Sequence, residues 1–164
     1  TLHHIEGLKL STCFILFQIG IASGDLSSGI LSQYFKSRKK ILIFYMSLAI
    51  VATILHFSKI FNAEDLAFTS FLMGLGCGYL SVFVTTTAEH FGTNLRVTVT
   101  ATVTNFMRGA VTLLIPFHQW IEIQFNLSLT QGLIITGIIV WTFALIPTLL
   151  LPETYGKNLE FIEE

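Results

Sequence analysis

Five long apolar stretches, at residues 10–34, 41–57, 66–88, 97–117 and 129–151, fill most of the chain and leave only short polar gaps. Each is close to the twenty or so residues a helix needs to cross the hydrocarbon core of a bilayer. A single segment can do so only as a helix, which pairs its own backbone polar groups. The fixed positive charge sorts by side. Lys36, Arg38, Lys39 and Lys40 follow the first stretch, Arg96 the third and Lys157 the fifth, whereas the opposite side holds only Lys9 and Lys59. Basic loops stay on the cytoplasmic side. The pattern therefore predicts an all-α, polytopic transmembrane bundle with its N-terminus outside and its tail, residues 152–164, in the cytoplasm.

Composition narrows the class further. With 52% hydrophobic and 12% charged residues, the 164-residue chain is too apolar for a soluble domain, where about a quarter of residues are charged. A net charge of -1 argues against a nucleic-acid partner and leaves the lipid bilayer as the expected one. Cys13 and Cys77 fall within predicted spans and form no Cys-x-x-Cys pair, so neither a disulfide framework nor a zinc site is expected. His3 and His4 are adjacent and terminal, His90 and His118 lie at opposite membrane edges, and His56 ends a span; none has metal-ligand spacing. No nucleophile has a base beside it and no phosphate loop is present, so neither an enzyme nor a cofactor is expected. Trp120 and Trp141 read as an interfacial anchor and a lipid-facing or packing residue. The chain opens at Thr1, and its first apolar stretch contains Asp25 and no signal-cleavage pattern, so a piece of a larger protein is expected.

The spans differ in polarity. In the first, Ser11, Gln18, Asp25, Ser28 and Ser32 recur at helical spacing, and in the fourth Thr98, Thr102, Asn105, Arg108 and Thr112 do the same. These two helices are expected to line a polar cavity, with the second and fifth at the periphery. The third carries Gly74, Gly76 and Gly78, followed by Tyr79. Alternate glycines in a membrane helix serve either close packing or a hinge and substrate contact. Two ionisable residues lie deep. Asp25 is nine residues from Tyr34, roughly 14 Å at 1.5 Å per residue, and Arg108 is twelve from Arg96, roughly 18 Å. A charge at that depth costs at least about 2.5 kcal/mol, so it marks a substrate or proton path, or else Asp25 and Arg108 pair to hold two helices together. A carboxyl group that alternates between wet and apolar surroundings can bind and release a proton, whereas arginine keeps its charge and can hold an anion.

Three short elements resemble a known family. Gly29-Ile-Leu-Ser-Gln-Tyr-Phe-Lys-Ser-Arg38-Lys39-Lys40 is similar to the loop signature of the major facilitator superfamily, Gly-x-x-x-Asp-Arg-x-Gly-Arg-Arg/Lys. Gly29 and Arg38 fit; Gln33, Tyr34, Lys36 and Ser37 depart, Lys36 standing where the second glycine is usual. Glu89-His-Phe91-Gly-Thr-Asn-Leu-Arg96 is similar to Glu-x-Phe-Pro-x-x-x-Arg, with Gly92 in place of proline. Leu151-Pro-Glu153-Thr-Tyr155-Gly-Lys-Asn-Leu-Glu160 resembles the Pro-Glu-Thr-Lys/Arg-Gly-x-x-Leu-Glu ending of sugar porters and related organic-ion transporters, with Tyr155 at the usual basic position.

The resemblance implies the major facilitator fold, with this chain as helices eight to twelve and the missing N-terminal half of the same chain as its partner. It also implies alternating access about a midplane site in a plasma or inner membrane. The expected function is secondary active transport of a small solute, with proton coupling. Asp25, Arg108, Asn105, Gln18 and Tyr79 would lie on the substrate or proton pathway. Gly29, Arg38, Glu89, Arg96 and Glu153 would form a cytoplasmic latch, or else be interfacial charges that are simply solvated. The alternative is a non-transporting membrane sensor or assembly subunit on the same scaffold.

Overall fold

The computed structural model describes residues 10–57, 63–157, 160 and 162. Lys9, Lys59, His3 and His4 lie outside the described residues, as do Asn158, Leu159 and Phe161 of the tail. The chain runs through α1 (Leu10–Tyr34), α2 (Arg38–Phe57), α3 (Ala63–Cys77), α4 (Leu80–His90), α5 (Arg96–Phe125) and α6 (Leu129–Leu150), with no strand among the described residues. It divides into two compact units. The first holds α1 to α3, α4 as far as Thr86, and the segment Pro152–Gly156; the second begins at Thr87 and holds α5 and α6.

In the first unit α3 is wedged between α1 and α2, and small residues decide how closely. Gly20, Gly24, Ser28 and Ser32 recur every four residues along one stripe of α1 and are all buried. They meet a second four-residue stripe, Ser70, Gly74, Gly78, Val82 and Thr86, on α3 and α4. The backbones nearly touch there. A β-carbon on Gly24 would stand 2.4 Å from the Leu75 carbonyl oxygen, and one on Gly78 would stand 2.4 Å from the Gly24 Cα. Gly76, about 200° further round the helix than Gly74, faces the other way, where a β-carbon would meet Ala49 of α2 at 2.5 Å. The alternation thus serves close packing on two opposite sides at once.

Toward the α1–α2 turn, Ile41, Leu42, Tyr45 and Val82 form a buried cluster, with Leu31, Tyr79 and Phe83 packed against it. The Tyr45 hydroxyl is satisfied by Ser27 at 2.6 Å.

The segment read from sequence as a single third span is two helices. Hydrogen bonding breaks at Gly78 and Tyr79: Gly78 N–H turns back to the Leu75 carbonyl at 3.1 Å, and the regular ladder resumes with Phe83 N–H on Tyr79. Glycine lowers the cost of such a break by its backbone freedom. Residues Asp65–His90 still have the length and hydropathy of one membrane crossing, as do Ser11–Tyr34, Arg38–Phe57 and Leu129–Leu150. Helix α5 differs from its expected extent. It continues past Phe117 to Phe125, giving 30 residues, roughly 45 Å at 1.5 Å per residue. Arg108, His118 and Glu122 dilute its apolar character, so α5 does not join those four crossings.

Among the described residues, the α1–α2 and α5–α6 turns are each built on a residue in the left-handed region. Lys36 has φ 49°, with Lys36 N–H on the Gln33 carbonyl and Ser37 N–H on the Ser32 carbonyl, the paired bonds that close a helix C-terminus. This is the place where the superfamily signature carries glycine, the residue that enters this conformation without a β-carbon penalty. Asn126, φ 50°, repeats the arrangement at the end of α5. Ser128 and Gln131 then form a reciprocal capping box that starts α6.

Two consequences can be measured by thermal unfolding of the purified protein in detergent. Gly24→Val and Gly78→Val should each cost at least the 1–3 kcal/mol typical of overpacking, whereas Gly109→Ala, with nothing within 4 Å of the added carbon, should be neutral or slightly stabilising. Lys36→Gly should raise stability by about 1 kcal/mol, the usual penalty of a side chain in the left-handed region.

Candidate functional site

Asp25 sits on α1 beside the break between α3 and α4. Its Oδ1 accepts from Ser81 N–H at 3.1 Å, and its backbone carbonyl accepts from the Ser81 hydroxyl at 3.0 Å. Ser28, fully buried, closes the group through a 3.2 Å contact with the Ser81 hydroxyl. The interruption is what creates this site: N–H groups in the first turn of α4 have no carbonyl a turn earlier to accept them. A negative side chain at a helix N-terminus is favoured by the aligned peptide dipoles as well. Asp25 is half-buried, so its carboxylate has a built partner and some access.

The other candidates on α1 and the break are placed differently. Gln18 is exposed, whereas Ser28 and Ser32 are completely buried in the seam with α3 and α4, so the polar stripe of α1 divides between packing and open surface. Tyr79 is half-buried against the Ile41, Leu42, Tyr45 and Val82 cluster. Gly29 has only the Ser81 hydroxyl near its β position, at 3.9 Å.

A second constellation lies where α1 turns into α2. Ser37 caps α2, its hydroxyl oxygen accepting from Lys40 N–H at 3.2 Å. The segment after α6 docks on that cap. Glu153 accepts from the Ser37 hydroxyl through Oε2 and from Arg38 N–H through Oε1 at 2.8 Å, and Oε1 also takes the N–H groups of Thr154 and Tyr155, both at 3.1 Å. The Arg38 guanidinium donates to the Ser32 hydroxyl at 2.6 Å and lies 5.3 Å from the centre of the Tyr155 ring. The aromatic ring thereby turns a position usually held by a basic residue into a face that attracts Arg38. Thr154, between the two contacts, is completely buried. Burial pushes the Glu153 carboxyl up, but the hydrogen bonds from Ser37, Tyr155, Arg38 and Thr154 outweigh it and hold the group below the usual glutamate range.

In the second unit, Arg96 folds back onto the end of α4, with Nε donating to the carbonyls of Ala88 at 3.0 Å and Phe91 at 3.3 Å. Cations suit a helix C-terminus, where carbonyls lack partners. Glu89 is buried. Along α5, Arg96, Thr100, Thr104 and Asn105 line an open groove of about 500 Å³. Asn105 and Arg108 are exposed on that helix.

The fold defines the class: an integral, multi-pass helical membrane protein. The chain belongs to the sugar (and other) transporter family of the major facilitator superfamily, whose family model matches residues 4–155. No match is found among curated proteins or among solved structures.

Sequence reading missed Ser37 and Ser81, the two serines that present polar groups to carboxylates. Ser37 was legible as the residue before a helix start, a favoured capping position. Ser81 was not, because nothing in the apolar run announces a break after Gly78. The Glu153 contacts carry a pH signature. Its folded-state affinity for protons is lowered, so its contribution is complete above the ordinary glutamate value of about 4.3 and is lost as pH falls below it. Protection of the Thr154 and Tyr155 amides against hydrogen exchange, relative to an unfolded chain at the same pH, should therefore be high at neutral pH and fall once the pH drops below the ordinary glutamate range, whereas Glu153→Gln should lower it already at neutral pH.

Proposed function

We propose that the chain works as the C-terminal part of a secondary transporter that moves a sugar or similar small solute by alternating access, driven by protons. The observation that carries the coupling role is the Asp25 carboxylate on Ser81 N–H, at a break in a membrane-crossing segment. A proton arriving on Asp25 removes the negative charge that the start of α4 favours, so protonation and the local geometry of α1 against α4 are linked. Arg108 supplies a fixed positive charge for an anionic group on the solute, with Asn105 and the groove beside it offering hydrogen bonds. Gln18 and Tyr79 complete the proposed pathway.

The docked segment Pro152–Gly156 is assigned to the cytoplasmic side, in keeping with the basic residues Lys36 to Lys40 beside it. There Glu153 and Arg38 act as one half of a latch, and Glu89 and Arg96 as the other. The latch holds the cytoplasmic face closed until solute and proton are bound.

The test is transport by the complete protein in liposomes. Asp25→Asn keeps an oxygen that can accept from Ser81 but cannot titrate, so accumulation driven by a proton gradient should fall to background while solute exchange continues. Unchanged accumulation overturns the coupling role. Arg108→Gln should weaken binding of an anionic solute at least tenfold; equal affinity for every charged solute overturns its binding role.

A further inference from the structure

We propose that Tyr155 is a positioning residue: its ring fixes where the Arg38 guanidinium points, so that the strap Pro152–Gly156 is held on the α1–α2 turn by a cation–aromatic contact that a basic side chain at 155 would break. The contact stands whatever the chain transports; its consequence for opening rests on the latch proposed above.

Arg38 is held on two sides. Its Nη1 donates to the Ser32 hydroxyl oxygen at 2.6 Å, and that hydroxyl itself donates to the Gly29 carbonyl at 2.8 Å, which leaves the oxygen free to accept. Ser32 is completely buried, so the bond aims the guanidinium inward. Its central carbon lies over the Tyr155 ring, 5.3 Å from the ring centre and inside the roughly 6 Å within which an aromatic face attracts a cation. The ring is brought there by its own backbone. Tyr155 N–H is bound by Glu153 Oε1, Thr154 is completely buried, and Gly156, φ 79°, turns the chain away in a conformation that disfavours a side chain.

Charge explains why an aromatic residue suits this place. Lys36, Arg38, Lys39 and Lys40 crowd the turn, α2 has no acidic residue, and the acid of α1 is Asp25, two helical turns before Ser32. Glu153 is the strap's own acid, and its oxygens are engaged by the Ser37 hydroxyl and by the N–H groups of Arg38, Thr154 and Tyr155. A lysine or arginine at 155, the type usual in the ending that this tail resembles, would add one more cation against Arg38. An aromatic face offers the opposite, negative potential without a charge to desolvate. Restoring the usual basic residue is therefore the damaging change.

Hydrogen exchange of the complete protein in detergent reads strap docking at the Thr154 amide, with variants that leave Glu153 and Thr154 unchanged. Tyr155→Phe should keep the natural protection, because the ring supplies the contact. Tyr155→Leu should lower it about two- to fivefold, the weight of an exposed cation–aromatic contact, and should change nothing in a chain already carrying Arg38→Gln. Tyr155→Arg should lower it further at about 20 mM salt and recover to the leucine level at about 500 mM, where exposed like charges are screened. Natural protection in Tyr155→Leu, a loss in Tyr155→Phe as large as that in Tyr155→Leu, an equal loss without Arg38, or a Tyr155→Arg loss that ignores salt each overturns the positioning role. If Tyr155→Leu does not fold, the salt response of Tyr155→Arg decides alone. Transport in liposomes separates the two readings. Protection that follows the ring while transport is unchanged upholds the positioning role and removes the latch, whereas protection indifferent to the ring removes the positioning role and leaves the latch to Glu153.

Discussion

The contact on which the first unit depends is the near-touching of two helix backbones, α1 at Gly20 and Gly24 against α3 at Gly74 and Gly78. Lipid offers no hydrophobic drive to bring apolar helices together, so association rests on dispersion and on hydrogen bonds that work only at short range. Side chains of ordinary size would hold these axes several ångströms apart. At that distance Ser81 would not reach Asp25, and the buried serines of α1 would lose their neighbours. The glycines therefore place the polar chemistry without taking part in it.

A second regularity concerns how hydroxyl groups are tolerated in apolar surroundings. Ser23, Ser27, Thr53, Thr85, Thr86, Thr100, Thr102, Thr104, Thr142 and Thr148 each donate to a carbonyl three or four residues earlier in their own helix. A threonine paired in this way needs no cavity. Of the polar stripe on α5, Thr102 is satisfied internally in this way. The same holds on α1, where Ser28 and Ser32 reach their own carbonyls as well as Ser81 and Arg38.

Legibility from sequence followed the range of the interaction. Helix positions were legible because they rest on runs of apolar residues, and the family was legible because short elements around Arg38, Arg96 and Glu153 keep their order. The break at Gly78 and Tyr79 was not, since glycine spacing is equally compatible with packing and with bending until the neighbours are known. The four-residue stripe of Gly20, Gly24, Ser28 and Ser32 lies in plain view, but two of its members also fit a polar face. The meeting of Glu153 with Ser37 joins residues 116 positions apart, which no local pattern encodes.

By itself the sequence determined that this chain is a set of membrane-crossing helices with a basic side, because hydropathy and charge act residue by residue against a bilayer. It also determined that Asp25 and Arg108 are exceptional, since a charge among apolar residues is conspicuous wherever the chain folds. Only the tertiary structure decided which polar groups meet. The Asp25 carboxylate found a freed N–H on α4, Glu153 found the start of α2, and Tyr155 found the guanidinium of Arg38. Those pairings depend on backbone separations of a few ångströms between distant segments, and such separations exist only once the helices have packed.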